Sequence, residues 1–223
     1  MEQGNILHAG QPERLTVDAV RLRTLFGGEA RHGGLLTGDG DMSPGLPETA
    51  PGYVPGRPAA VLVPLVQRPD EISVLLTRRT DHLYHHPGQI SFPGGRIEAD
   101  DLDDPVSAAL RETEEETGIP RDVVEVIGRL SPYRTRTGFS VVPVIGLLTP
   151  PFETRPDPFE VAEIFEVPLS FILDRANHQV HSREGDGVKR SFYVLPYMDY
   201  YIWGATAAML VNLANIVLRT GED

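Results

Sequence analysis

Residues 111 to 118 read RETEEETG and place four glutamates, Glu112, Glu114, Glu115 and Glu116, on one short segment. Like charges at helical neighbour spacing repel. A helix that gathers them either leaves them to solvent or offers them to a cation. At about 100° per residue, Glu112, Glu115 and Glu116 share an arc with Ala108, while Glu114 points elsewhere. Carboxylates at i, i+3 and i+4 suit a hard divalent cation, which takes oxygen ligands and keeps several waters. Arg111 stands four residues before Glu115 and can pair with it.

The helix that must carry these groups is well marked. Asp104 suits the N-cap and Pro105 the first helical position. Gly118 sits where a left-handed C-terminal cap belongs, and Pro120 prevents continuation. Val106, Ala109, Leu110, Thr113 and Thr117 fall in a second arc, expected to be the buried face. Upstream, β-branched apolar runs at 59–66 and 72–79, separated by QRPDE, predict two strands. Residues 90–98 predict a third, broken at Gly94 and Gly95, and the acidic loop ADDLDD follows.

Strands are also expected at 123–135 and 139–149, with a mixed strand and helix at 160–174. Residues 178–185 and 188–204 look like further strands, and 205–220 predicts a closing helix with Met209, Leu210, Leu213, Ile216 and Val217 on its apolar stripe. At the N-terminus, Val17, Val20, Leu22 and Leu25 predict a helix over 16–26, and the Gly- and Pro-rich residues 32–58 predict a linker or loosely draped arm. The expected division is a helix and arm at 1–58 and a catalytic domain at 59–220. The order is α+β, not a regular alternation of parallel-sheet units.

Composition narrows the function. A chain of 223 residues with 40% hydrophobic and 23% charged residues can bury a full core. It has no cysteine, so thiolate catalysis and disulfides are excluded and a metal site must use oxygen or imidazole. A net charge of -12 argues against nonspecific nucleic-acid binding. An anionic small substrate remains compatible if basic groups cluster locally. No apolar run is long enough for a bilayer, and the first residues lack a basic segment followed by an apolar one. A cytoplasmic protein without membrane or nucleic-acid partners is expected, and a homodimer is compatible with the sequence.

The segment from Gly95 to Ile119 resembles the Nudix box: Gly, five residues, Glu, seven residues, Arg-Glu, an aliphatic, any residue, Glu-Glu, any residue, Gly, an aliphatic. Arg111, Glu112, Glu115, Glu116, Gly118 and Ile119 match its second half in register. Gly95 lies two residues too far upstream, Thr113 stands where an aliphatic is usual, and counting back from Arg111 puts Asp103 at the first acidic position. Either Asp103 or Glu98 is then the expected partner of Arg111. The resemblance implies a Nudix-type α/β/α sandwich with a mixed central sheet, a metal-binding helix after the Gly-Gly loop and an N-terminal extension. It implies hydrolysis of a diphosphate linked to a nucleoside. Glu112, Glu115 and Glu116 correspond to the ligands of Mg2+ or Mn2+, with Arg111 beside them. A diphosphate repels nucleophiles, so a cation must offset its charge and lower the pKa of a water.

Residues 75 to 95, LLTRRTDHLYHHPGQISFPGG, are similar to the extra motif of the coenzyme A pyrophosphatase branch. Leu75, Leu76, Thr77, Arg79, Gly88, Phe92, Pro93, Gly94 and Gly95 match. Thr80 replaces a small residue, and Tyr84 replaces an arginine, removing a bidentate phosphate donor. Arg78, His82, His85 and His86 crowd nearby, and Arg134 and Arg136 form a second basic group. By this resemblance the substrate is coenzyme A or a derivative, split to 4′-phosphopantetheine and adenosine 3′,5′-bisphosphate. A broader hydrolase of ADP-ribose or NADH, or a ligand-sensing domain without turnover, are the alternatives. Glu160 and Glu163 are candidate catalytic bases. Trp203, before the closing helix, reads as a core anchor, with stacking on adenine as the other reading.

Overall fold

The computed structural model describes residues 17–27, 36–42, 56–83, 86–185 and 188–219. Along the chain these form α1 (Ala19–Phe26), β1 (Arg57–Gln67), β2 (Ile72–Arg79), β3 (Ile90–Ser91) and β4 (Gly94–Arg96). Next come α2 (Pro105–Thr117), β5 (Val124–Arg129), β6 (Tyr133–Arg134), β7 (Phe139–Leu148), β8 (Val161–Pro168) and α3 (Leu169–Leu173). The chain closes with β9 (Gln179–Gly185), β10 (Val188–Tyr197), β11 (Tyr200–Trp203) and α4 (Gly204–Arg219).

The central sheet is mixed, in the order β3-β2-β1-β7-β5, with β4 on β1, β6 on β7 and β8 on β2. β1 and β7 run parallel from Arg57 opposite Phe139 to Val66 opposite Leu148; the other pairs are antiparallel. β1 and β7 are almost continuously apolar because both faces are covered. Ala60, Leu62, Val66, Leu75, Val144 and Leu148 face α2 and the segment after it. Val63, Leu65, Val74, Leu76, Ile145 and Leu147 face the layer of α1, α3 and α4. The alternation of successive residues between the two sets is the period-2 signature of a strand. The expected sandwich of helices about a mixed sheet is what forms.

Strands β9, β10 and β11 build a separate antiparallel sheet and do not extend the central one. Leu195 and Ile202 turn its inner face into the core with α4. Helix α1 begins later than its sequence suggests, because the Asp18 carboxylate accepts the Arg21 N–H and caps it there. Leu22 and Phe26 enter the core, whereas Val20, expected on the apolar stripe, is exposed. Residues 36–42 of the arm are pinned rather than draped: the buried Asn212 amide both accepts the Leu36 N–H and donates to the Leu36 carbonyl. The Tyr133 hydroxyl donates to Asp39. Among the described residues no helix is long and apolar enough to cross a membrane.

Candidate active site

Helix α2 carries the site, and its ends are fixed as the sequence predicts. The Asp104 carboxylate accepts the N–H groups of Val106 and Ser107, and Gly118 closes the helix at φ 70°. Ala108 and Ala109 are fully buried and let α2 lie close on β1. Its C-terminal end is braced from outside: the N–H groups of Arg155 and Asp157 donate to the carbonyls of Thr117 and Glu116.

The glutamates are not equivalent. Glu116 is only 5% exposed. Its Oε2 accepts the Gly94 N–H at 3.2 Å and its Oε1 stands 3.9 Å from Arg79 Nη1. Burial pushes its carboxyl up to about 8; the Gly94 N–H and Arg79 oppose the rise, while Glu112 and Glu160 add to it. Burial also raises Glu112, against the pull of Arg111. Glu115 is exposed, and Arg111 Nη1 donates to it at 3.0 Å. Glu114 points away and pairs with Arg121 at 2.7 Å. The expected separation of a carboxylate face from a buried face is therefore corrected. Glu116 and Ala108 are buried, because the Gly-Gly loop covers α2 beyond the sheet itself.

Arg111 organises the loop. Its Nε and Nη2 each donate at 2.9 Å to the Asp101 carboxylate, Nη1 donates to Glu112 at 3.0 Å, and Nη2 also donates to the Arg96 carbonyl at 3.1 Å. Asp101 is 3% exposed and Arg111 holds its carboxyl below the usual range, while Arg111 itself is held firmly protonated. Neither Asp103 nor Glu98 is the partner. Asp103 is exposed, and Glu98 meets Asp101 rather than Arg111: its N–H donates to the Asp101 carboxylate and its carbonyl accepts the Asp101 N–H. The two extra loop residues lie after this acid, at Leu102 and Asp103, both left-handed at φ 54° and 59°. Past the motif's five-residue spacer, the sixth residue after Gly95 is Asp101, a signal that counting back from Arg111 misses.

The glycines make room. A Cβ on Gly95 would fall 2.4 Å from the Glu112 carboxylate, and one on Gly94, at φ 149°, would fall 2.4 Å from the Ala60 carbonyl. Glu116 is a buried carboxylate with one N–H donor and no arginine in hydrogen-bond contact, an under-compensated charge of the kind a cation neutralises. The donor set is oxygen alone, so a hard divalent ion fits Glu112, Glu115 and Glu116. Among the described residues no three such side chains already converge as a metal-holding group; Arg111 engages Glu112 and Glu115.

The other expected site residues divide. Arg79 lies between Glu116, at 3.9 Å, and Glu160, at 4.0 Å. Arg78 pairs with Glu163 at 3.3 Å, and the Tyr200 hydroxyl donates to Glu163 at 2.6 Å. So Glu160 belongs with the carboxylates and Glu163 with a different group. Thr77 and Phe92 are turned inward: the buried Thr77 hydroxyl donates to the Ser91 carbonyl at 3.2 Å, and Phe92, 2% exposed, packs in the core. Gly88 turns the loop at φ 65°. His82 is exposed with its ring edge on Phe159. His86 meets the Gln89 side chain at 2.8 Å. Arg134, on β6, and Arg136, just after it, lie on the β7 side of the sheet, with β1 between them and β2. The Arg136 N–H donates to Asp39. Tyr84 and His85 lie outside the described residues. Trp203 does not anchor the core; it is 38% exposed and lines a cleft of about 740 Å³ with Arg78 and Glu163.

Comparison with known proteins bears on this geometry. A family model for the NUDIX domain matches residues 56–184. Proteins of Yersinia pestis and Yersinia pseudotuberculosis, each named Uncharacterized Nudix hydrolase NudL, are 41% identical over 161 residues, covering 72% of this chain and 80% of theirs. Among solved structures, a MutT/nudix family protein from Enterococcus faecalis is similar with a TM-score of 0.46 and 20% identity, over 77% of this chain and 65% of that one.

Proposed function

This chain belongs to the Nudix domain family, and from that membership we propose that it hydrolyses the diphosphate bond of coenzyme A or a coenzyme A derivative. The products are 4′-phosphopantetheine and adenosine 3′,5′-bisphosphate. The chain is a Nudix hydrolase acting on nucleoside diphosphate derivatives. The substrate reading is carried by residues 75 to 95, whose motif puts Arg79 and the Gly94 N–H against the Glu116 carboxylate and Gly95 against that of Glu112.

Nudix hydrolases generally use divalent metals, and here Glu112, Glu115 and Glu116 would hold Mg2+ or Mn2+. Such an ion supplies charge neutralisation to the diphosphate and acidifies water. The chain's own groups do the rest. Arg79 binds phosphate oxygens and keeps the substrate between Glu116 and Glu160. Gly94 and Gly95 let the loop lie against β1 and the Glu112 carboxylate, which keeps the carboxylates in place. Arg111 fixes Glu112 and Glu115 through the buried Asp101. Water adds to one phosphorus, the bridging P–O bond breaks, and the water's proton passes to the Glu160 carboxylate.

Product analysis on coenzyme A, NADH and ADP-ribose, each with Mg2+ and with Mn2+, tests the reading. Coenzyme A should show the highest kcat/KM and yield the two products named. The broader alternative is favoured by Tyr84 in place of a motif arginine. It holds instead if ADP-ribose or NADH equals or exceeds coenzyme A. Glu160→Gln should lower kcat by about 10²- to 10⁴-fold, as loss of a general base does.

A further inference from the structure

Arg78 and Arg79 are neighbours on one strand and so serve opposite sides of it. Arg79 meets the carboxylates of α2; Arg78 lines the separate cleft between β2, β3 and the edge strand β11. That cleft holds Arg78, Gln89, Glu163, Asp199, Tyr201 and Trp203. Several of its side chains are held by neighbouring groups. Trp203 meets the ring of Phe192 edge-on at 5.5 Å. The Tyr201 hydroxyl is tied to His181 Nδ1 at 2.9 Å. Tyr200 stacks on Phe165 at 3.7 Å and donates to Glu163, which in turn holds Arg78 through Nε. Large aromatic side chains left open at a concave site, among carboxylates and one arginine, are unusual for a bare surface.

We infer that this cleft is a subsite for the adenine base of the substrate, stacked on Trp203 and Tyr201, with Arg78 binding a phosphate outside the diphosphate. The inference rests on the nucleotide substrate proposed above. Stacking accepts any planar base, since every base has a π-face. Glu163 and Asp199 are acceptor-only when ionised and suit a base edge that donates from an exocyclic amine. Arg78, oriented at Nε by Glu163, presents its remaining N–H groups to an anion. Two adjacent arginines thereby serve two phosphate positions, and a ligand with a phosphate besides its diphosphate uses both.

Trp203 is the chain's single tryptophan, so its emission reports this cleft alone. The full chain in EDTA is titrated with AMP, 4′-phosphopantetheine and ribose 5-phosphate. AMP should quench Trp203, and the other two should not. Tyr201→Ala should weaken AMP binding about tenfold, the scale of one lost stacking partner. Arg78→Ala should reduce the preference for coenzyme A over dephospho-coenzyme A in kcat/KM. An emission that responds to phosphopantetheine and not to AMP overturns the assignment, as does silence to all three. Turnover separates this from the substrate proposal. Quenching by AMP in a chain that leaves coenzyme A intact sinks the substrate and keeps the cleft. Hydrolysis of coenzyme A with Trp203 silent to AMP does the reverse.

Discussion

Replacing Glu116 with glutamine should make the metal-free chain more stable while slowing its chemistry by orders of magnitude. Burial pushes the Glu116 carboxyl from an ordinary 4.5 up to about 8. In the unfolded chain the group returns to its ordinary value. Between these pH values the folded chain therefore holds a proton that the unfolded chain has released. Because the folded value is the raised one, the favourable contribution is complete below about 4.5 and is lost as pH rises through about 8. At about 1.4 kcal/mol per tenfold difference in proton affinity, the loss is on the order of 5 kcal/mol, large beside the roughly 5–15 kcal/mol that keeps a domain folded. Glutamine retains an oxygen for the Gly94 N–H but has no charge to bury. Urea unfolding in EDTA at about pH 5 and about pH 9 measures the difference between the two proteins. They should be close at the lower pH, and Glu116→Gln should be the more stable by several kcal/mol at the higher. Mg2+ should then narrow the gap at the higher pH by stabilising the wild type, by about 2.7 kcal/mol at a hundredfold excess over its Kd. A stability difference that does not change with pH would refute the reasoning.

Arg111→Ala should destabilise by about 3–5 kcal/mol, since it leaves the nearly buried Asp101 carboxylate without its partner; thermal melts should show the loss at neutral pH shrinking as acid neutralises Asp101. Gly94→Ala and Gly95→Ala should differ in kind. A Cβ at Gly94 meets the backbone of Ala60 and Val61, whereas one at Gly95 meets the movable end of Glu112. The first should lower Tm; the second should lower kcat/KM with a smaller change in Tm. Leu22→Ala should cost about 2–5 kcal/mol in chemical denaturation, because this fully buried side chain makes α1 part of the core.

Much of α2 was legible because its signals are local. Asp104, Pro105 and Gly118 determine where a helix begins and ends whatever it packs against. The burial of Glu116 was not, because its cover comes from the Gly94 loop as well as from the sheet, and an arc drawn on an isolated helix contains no loop. Asp101 was missed for a related reason: spacing along the chain does not say whether the two extra residues between Gly95 and Arg111 fall before or after the acid. The left-handed backbone at Leu102 and Asp103 decides that. Strands β9 to β11 were recognisable as two strand-forming runs, but the turn that splits the second run into β10 and β11 and the closure into a second sheet depend on cross-strand partners. Thr77 and Phe92 match a motif in register, but a motif match does not say which of its residues the core buries.

The parallel pairing of β1 with β7 sets an order of assembly. Arg57 cannot find Phe139, nor Val66 find Leu148, until the Gly-Gly loop, α2, β5 and β6 have all emerged between them. Closing so long a loop costs entropy before any contact repays it, and pairings distant in sequence slow the search for the native state. During synthesis β1 has local partners in β2 and β4, so an antiparallel platform can form first. Helix α2 then rests on a half-built sheet until β7 arrives to complete the floor beneath Ala108 and Ala109. Substitutions in β7 should therefore act on the folding rate of the whole site, although β7 carries none of its glutamates.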